Sequence, residues 1–267
     1  MKRTIWAAMT LAVILTSAIL SSRSATVKKA VVVTKKEAKA TVTTAFASYA
    51  ADVYGTAKLK MAGLEFNVFE KALTGYYNLK QNNKLSAHSD VITVVDFNKP
   101  SSEKRMWIVD LAKKELLLNT WVAHGRGSGE LNATQFSNQN NSNQSSLGFY
   151  VTNEVYYGKH GRSLKLDGLD TGFNTNARSR AVVLHAANYV CEKTIQMTGR
   201  LGRSQGCPAV SPEVSNKIID LIKGKNMIFI NANATDYTSK YLDDTFISKF
   251  TAPTAADSSM QLTGTGS

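Results

Sequence analysis

Seven short apolar runs in the middle of the chain restrict its fold more than any other feature. They are Val91–Phe97, Met106–Leu111, Glu115–His124, Leu147–Thr152, Leu164–Leu169, Ala181–Ala187 and Met227–Asn231. Each is bounded by polar turn residues, and runs of this length and spacing read as strands. Together they predict a mainly β fold, a mostly antiparallel sandwich or barrel. Ala112, Lys113 and Lys114 would connect two of them as a hairpin. Helices are expected on either side. From Leu64 to Leu79, Leu64, Val68, Ala72 and Tyr76 recur every four residues with Phe69 and Leu73 beside them, the stripe of an amphipathic helix. Late in the chain Ser211 can cap a helix and Pro212 suits its first position. Val214, Ile218, Leu221 and Ile222 form its apolar stripe, and Gly224 offers a left-handed stop.

The ends have a different composition. Met1, Lys2 and Arg3 precede an apolar run from Ile5 to Leu20, followed by the small residues Ser21, Ser22, Ser24 and Ala25 around Arg23. The run falls short of the ~20 residues of a membrane span, so residues 1–24 read as a secretory signal, with an uncleaved anchor as the alternative. The chain is therefore expected outside the cytoplasm, periplasmic or associated with a cell wall, with no stable membrane span once the signal is removed. Residues 25–59 read as a linker and helical extension, residues 60–235 as the folded domain, and residues 236–267 as a tail whose end, from Thr251, has little to bury. Asn132 through Ser146, rich in Asn, Gln and Ser, reads as a long polar loop.

Charge narrows the partner. The chain carries 32 Lys and Arg against 20 Asp and Glu, and removal of Lys2, Arg3 and Arg23 still leaves a clear basic excess. Outside the cytoplasm a basic surface points to a membrane or a cell-wall polymer rather than to nucleic acid. Lys28, Lys29, Lys35, Lys36 and Lys39 contribute to that excess from the linker, where solvation explains them equally well.

The chemistry concentrates in residues 199–210. Gly206 permits a left-handed backbone immediately before Cys207, and Pro208 removes the next backbone donor. An oxyanion formed at this thiol would then need the N–H of Cys207 and that of Gly206 or Gln205. A free thiol is only a few per cent ionised at neutral pH and needs a base. The nearest candidate is His185, 22 residues earlier, at the end of an apolar run. A structural disulfide between Cys207 and Cys191, 16 residues apart, is the competing reading in an exported chain. The Gly-Cys-Pro context in an Arg-, Gly- and Ser-rich loop is poor packing material and favours the nucleophile.

With these residues in view, the chain resembles the murein L,D-transpeptidase catalytic-domain family, the YkuD-like cysteine enzymes of bacterial cell walls. The family pattern is a histidine followed by Ser-His-Gly-Cys; here His185 is followed by Ser204, Gln205, Gly206 and Cys207, in a branch that continues Pro208-Ala209. The likeness extends through Val95–Phe97, Val122–Gly125 with Ser128 and Gly129, and Ser145–Tyr150. It continues through Gly158–Gly161, Leu166–Leu169 and Asn176–Ala177 before Arg180, about residues 60–232 in all. Two departures stand out: Gln205 replaces the second histidine, and Pro208 with Ala209 replaces an aliphatic and a polar residue.

The resemblance implies a YkuD-like β-sandwich or barrel acting on peptidoglycan stem peptides, without cofactor or metal. Cys207 would attack the stem tetrapeptide and expel D-Ala, His185 would move the proton, and backbone N–H groups near Gly206 would hold the oxyanion. The Ala186 carbonyl would orient the imidazole. Arg180, Arg203, Ser204 and Gln205 would contact substrate, with the arginines, Arg200 among them, suited to carboxylates. Transfer to an acceptor amine gives a 3→3 cross-link; transfer to water gives an L,D-carboxypeptidase. A disulfide-stapled wall-binding module is the non-enzymatic alternative. A papain-like peptidase is disfavoured because it places Cys before His. Other signals are weaker. Ser101–Lys104 matches S-x-x-K with no K-T-G partner, and His88, His124 and His160 have no metal-ligand spacing. The glycine loop after His124 reads as structural.

Overall fold

The computed structural model describes residues 44–244 and Phe250. The segments read as signal (residues 1–24) and tether before residue 44, and the end of the tail, lie outside the described residues. Contacts divide the chain into two units, and Ser48–Phe246, with the sheet and all that follows, belong to one of them.

The expected strands are present in a single sheet, with one addition. They are β1 Val91–Asp96, β2 Met106–Asp110, β3 Glu115–Thr120, β4 Gly148–Gly158, β5 Gly161–Gly168, β6 Val183–Ala186, β7 Ala209–Val210 and β8 Met227–Asn231. Their order is β3-β2-β1-β8-β4-β5-β6-β7. Two neighbour pairs, β1 with β8 and β6 with β7, are parallel, and the others antiparallel. The edges of this order meet. Three residues beyond β3, Ala123 bridges Ala209 of β7, and Gly125 bridges Ser204, so the sheet curls into a nearly closed barrel. That closure is why the run Glu115–His124 is not one strand. The chain leaves β2 after Thr120 and rejoins the sheet at the opposite edge.

Helices cover the sheet. Helix α1, Phe66–Gln81, buries Val68, Phe69, Ala72, Leu73, Tyr76 and Leu79, two residues later than the periodicity predicted. A Cβ on Gly75 would collide with the Phe149 ring, and Phe149 stacks on Phe229, so α1 lies close against β4 and β8. Helix α3, Pro212–Ile222, places Ile218, Ile219 and Ile222 in a core with Leu164, Leu184, Ile228 and Ile230. Every residue of β8 is buried, as expected for a strand covered on both faces. Ser211 stands at the N-cap of α3, but no side-chain capping bond forms there; its carbonyl accepts from Ser215 N at 3.0 Å. Gly224 has φ +83 just past the helix end.

Packing runs past the division placed at 235/236. Tyr237 and Ser239 donate to the buried carboxylate of Asp170 at 2.8 and 2.6 Å, and Asn78 donates to the carbonyls of Tyr241 and Asp243. The tail thus begins no earlier than residue 244. On the other side, residues 48–56 are helical, and Val53 and Leu59 are buried. Among the described residues no helix is long and apolar enough to cross a membrane.

Candidate active site

Closure of the barrel builds the turn that carries Cys207. Arg126 N donates to Ser204 O (2.8 Å), Ser204 N to His124 O (3.0 Å) and Ala123 N to Ala209 O (2.8 Å), so residues 123–126 form a rail beside residues 204–209. Within the turn, the Ser204 hydroxyl donates to Cys207 O at 2.6 Å and accepts from Gly206 N at 3.0 Å. Gly206 has φ +118, and a Cβ there would meet Gln144 O at 2.7 Å, which only glycine avoids. Gly125 is equally constrained by approach: a Cβ would strike the Asn143 carbonyl and the Gly206 backbone.

The Cys207 thiol faces the start of β6. Its Sγ accepts from Val183 N at 3.4 Å and points its proton at Ala181 O, 3.7 Å away. Ala181 itself holds a left-handed φ of +53, unusual for a residue with a Cβ. Burial pushes the thiol above its ordinary range, opposed by the Val183 N–H and by the charges of Arg180 and Lys159. His185 reaches the same cleft, since it pairs with Ala209 across β6 and β7. Its Nδ1 lies 2.8 Å from the Ala186 carbonyl, so Nδ1 carries the proton and Nε2 presents its lone pair. Burial first, then His160 and Lys159, hold the imidazole below its ordinary range, against the Ala186 carbonyl. Both groups are therefore neutral at pH 7. Among the described residues no hydrogen bond joins the Cys207 thiol to the His185 imidazole; the sulfur contacts Val183 N and Ala181 O instead.

Backbone donors for an oxyanion are narrower than the sequence allowed. Gly206 N–H is taken by Ser204, which removes it as a donor and leaves Gly206 a conformational role. Among the described residues, the N–H groups of Gln205 and Cys207 have no partner. Ser145 Oγ lies 3.3 Å from Gly206 O and donates to it, and in a trans peptide the Cys207 N–H must then point away from Ser145.

These groups line an open cleft of about 600 Å³ with Arg126, Asn140, Asn141, Asn143, Tyr156 and Lys159 among its walls. Arg180, Arg203, Ser204 and Gln205 all border it, but not all are free to bind. Arg180 donates to Ser137 O, Ser146 Oγ, Ser142 Oγ and Gln144 O, four of its five N–H groups. It pins the polar loop rather than offering the carboxylate fork expected of it. Arg203 and Arg200 both pair with Glu130, at 2.6 and 2.9 Å. Ser204 is consumed within the turn. Gln205 alone of the four is exposed and uncommitted.

Cys191 and Cys207 are free thiols, so the disulfide reading falls. Cys191 instead begins the short helix α2, Glu192–Thr198, and contacts Thr194 Oγ1 at 3.2 Å. His124 is fully buried, between Arg105 Nη2 (2.8 Å) and Gly129 O (3.2 Å), a structural role. The sequence reading missed Arg105, whose guanidinium is buried and donates to the carbonyls of Lys99 and Val122. It also missed His160 as a cleft residue, although the Gly158–Gly161 motif that contains it was part of the resemblance.

A model of the L,D-transpeptidase catalytic domain matches residues 60–231. No match was found among curated proteins. Among solved structures, the chain is similar to an L,D-transpeptidase from Mycobacterium smegmatis: 13% identity, 54% of this chain and 59% of that one covered, TM-score 0.34. An L,D-transpeptidase from Stackebrandtia nassauensis shares 13% identity over 64% of this chain and 69% of the other, TM-score 0.34. L,D-transpeptidase 1 of Mycobacterium tuberculosis shares 12% over 54% and 62%, TM-score 0.31. The chain thus spans about three-fifths of the two mycobacterial chains. Such distant likenesses add nothing to the family match, which covers well over half of the chain. The chain belongs to the L,D-transpeptidase catalytic-domain family.

Proposed function

We propose that this chain is an exported peptidoglycan L,D-transpeptidase in which Cys207 forms a thioester with the stem tetrapeptide. The observation that carries this reading is the cleft itself: a thiol and a neutral imidazole share it with two unpartnered N–H groups on the thiol's own turn. The Cys207 proton moves to His185 Nε2 as sulfur attacks the carbonyl of the third stem residue. The N–H groups of Cys207 and Gln205 receive the oxyanion. The C–N bond to D-Ala then breaks, and the imidazolium returns its proton to the leaving amine. A second stem's amine attacks the thioester, losing a proton to His185, and the thiol leaves reprotonated with a 3→3 cross-link formed. Ala186 O keeps the imidazole in the tautomer this needs. Lys159, Arg126 and Gln205 are polar cleft groups with no side-chain partner among the described residues and would receive the stem's carboxylates and amides.

The test is the intact mass of the mature chain after incubation with a disaccharide-tetrapeptide, for wild type and Cys207→Ala. A thioester adduct, D-Ala release and a linked dimer, all lost in the variant, are expected. D-Ala release with tripeptide as sole product would convert the reading to an L,D-carboxypeptidase. Neither adduct nor D-Ala from a chain with free thiols would overturn it.

A further inference from the structure

The two-residue turn between β4 and β5 consists of Lys159 and His160, set between the paired Gly158 and Gly161. Because Ser163 of β5 pairs with His185 of β6, this turn overhangs the end of β6. The His160 ring stacks on the His185 ring with centroids 4.2 Å apart and planes at 23°. His185 therefore has two fixings. The Ala186 carbonyl decides which nitrogen faces outward, and the stacked ring restricts the plane in which that nitrogen points. With glutamine at position 205, the nucleophile turn brings no imidazole of its own, and His160 is the other imidazole in the cleft.

Burial and the charge around His185 keep the stacked ring neutral at rest. Lys159 shares the turn, Tyr156 comes from β4, Tyr189 and Cys207 border the ring's surroundings, and Arg180, Arg126 and Arg203 are the cations of the remaining walls. No carboxylate lines the cleft among the described residues. An imidazolium formed here has only the Ala186 carbonyl to stabilise it, and His160 and Lys159 oppose it. Burial and Lys159 hold His160 below the ordinary imidazole range, so both stacked rings are neutral at neutral pH.

We infer that His160 is a positioning residue for His185, holding its ring plane with Nε2 toward the cleft, where it takes up the Cys207 proton. This rests on the reading of Cys207 and His185 as the reacting pair. The variants are His160→Ala, which removes the stack, and His160→Phe, which keeps a neutral ring. Two readouts on the full chain separate the inference from that reading: the NMR titration of His185, and the rate of adduct formation with the disaccharide-tetrapeptide across pH. In His160→Ala the His185 titration moves to higher pH, and the acid limb of the rate moves with it. With the ring no longer held in plane, the plateau rate falls by roughly three- to thirtyfold, with substrate half-saturation unchanged. His160→Phe recovers most of the plateau rate. An unshifted His185 titration together with an unchanged rate in His160→Ala would overturn the inference, as would a Phe variant as slow as the Ala variant. If the wild type forms no adduct, the reacting-pair reading fails, and the His185 titration alone still decides whether the stack controls that ring.

Discussion

Acid should weaken this fold through one buried histidine. His124 has no exposed surface, and its Nδ1 accepts from the Arg105 guanidinium at 2.8 Å, so the ring's single proton sits on Nε2 and donates to Gly129 O. A second proton would have to lie against Arg105. Burial first, then Arg105, hold the imidazole down to about 4, with the Gly129 carbonyl opposing. The unfolded chain, with an ordinary imidazole near 6.5, takes up that proton first. The stability this histidine contributes is therefore complete above pH 6.5 and drains away as pH falls toward 4. The whole shift corresponds to about 3 kcal/mol, and the part lost between pH 7 and pH 5 to about 2 kcal/mol. His124→Asn retains a short polar group toward Arg105 but cannot titrate. Urea unfolding of both proteins at pH 7 and pH 5 measures the difference. Wild type should lose about 2 kcal/mol more than the variant over that interval; an equal loss would refute the burial argument. The other two histidines with depressed values, His160 and His185, titrate in both proteins and cancel.

Gly206→Ala places a Cβ against Gln144 O at a glycine φ, and should cost about 2 kcal/mol or more, seen as a lower melting temperature, and abolish adduct formation. Arg180→Met removes four hydrogen bonds from the polar loop and should open residues 137–144 to limited proteolysis, at a cost of about 2 kcal/mol. Iodoacetamide at pH 7 should label Cys191 before Cys207, because Thr194 and the start of α2 hold the Cys191 thiol below its ordinary range while burial raises that of Cys207. Peptide mass mapping over time reads the order, and preferential labelling of Cys207 would contradict the neutral resting thiol.

What the sequence disclosed follows from how each element is buried. β8 was legible residue for residue because both faces of Met227–Asn231 are covered, leaving one unbroken apolar run. The hairpin of β4 and β5 was only half legible. β4 runs 11 residues with a register shift between Thr152 and Val155, and its outer half is exposed or half-exposed, so no apolar pattern marks it. Helix α2 buries nothing and β7 has two residues, which gives periodicity nothing to detect. At the site, Cys207, Gly206 and His185 were legible because turn geometry and thiol chemistry restrict residue choice. The commitments of Arg180, Arg203 and Ser204 were not, because a guanidinium or hydroxyl in a loop looks the same whether its partner is substrate or backbone. His160 was hidden for a related reason: its partner lies 25 residues away, brought near only by strand register.

The two shifts at the reacting pair act together. Burial raises the thiol and depresses the imidazole, so each group is held in the form that carries no charge. A thiolate–imidazolium pair is then not the resting state of this cleft, in contrast to cysteine enzymes whose thiol is ionised before substrate arrives. In the proposed reaction the proton leaves sulfur as the carbon–sulfur bond forms, when the negative charge passes to an oxygen held by Cys207 N–H and Gln205 N–H. The same arrangement explains the division of labour in the turn. Ser145 fixes the Gly206–Cys207 peptide through Gly206 O, Ser204 fixes the peptides on either side of it, and Arg180 fixes the loop against which Gly206 packs. Those polar groups are saturated within the protein, so the donors left unpaired are the ones that a transient oxyanion could use. Rigidity at 204–207 and neutrality at 185 and 207 therefore serve one end. They keep the thiol quiet in water and, in the proposed reaction, reserve its ionisation for the moment an acyl group fills the cleft.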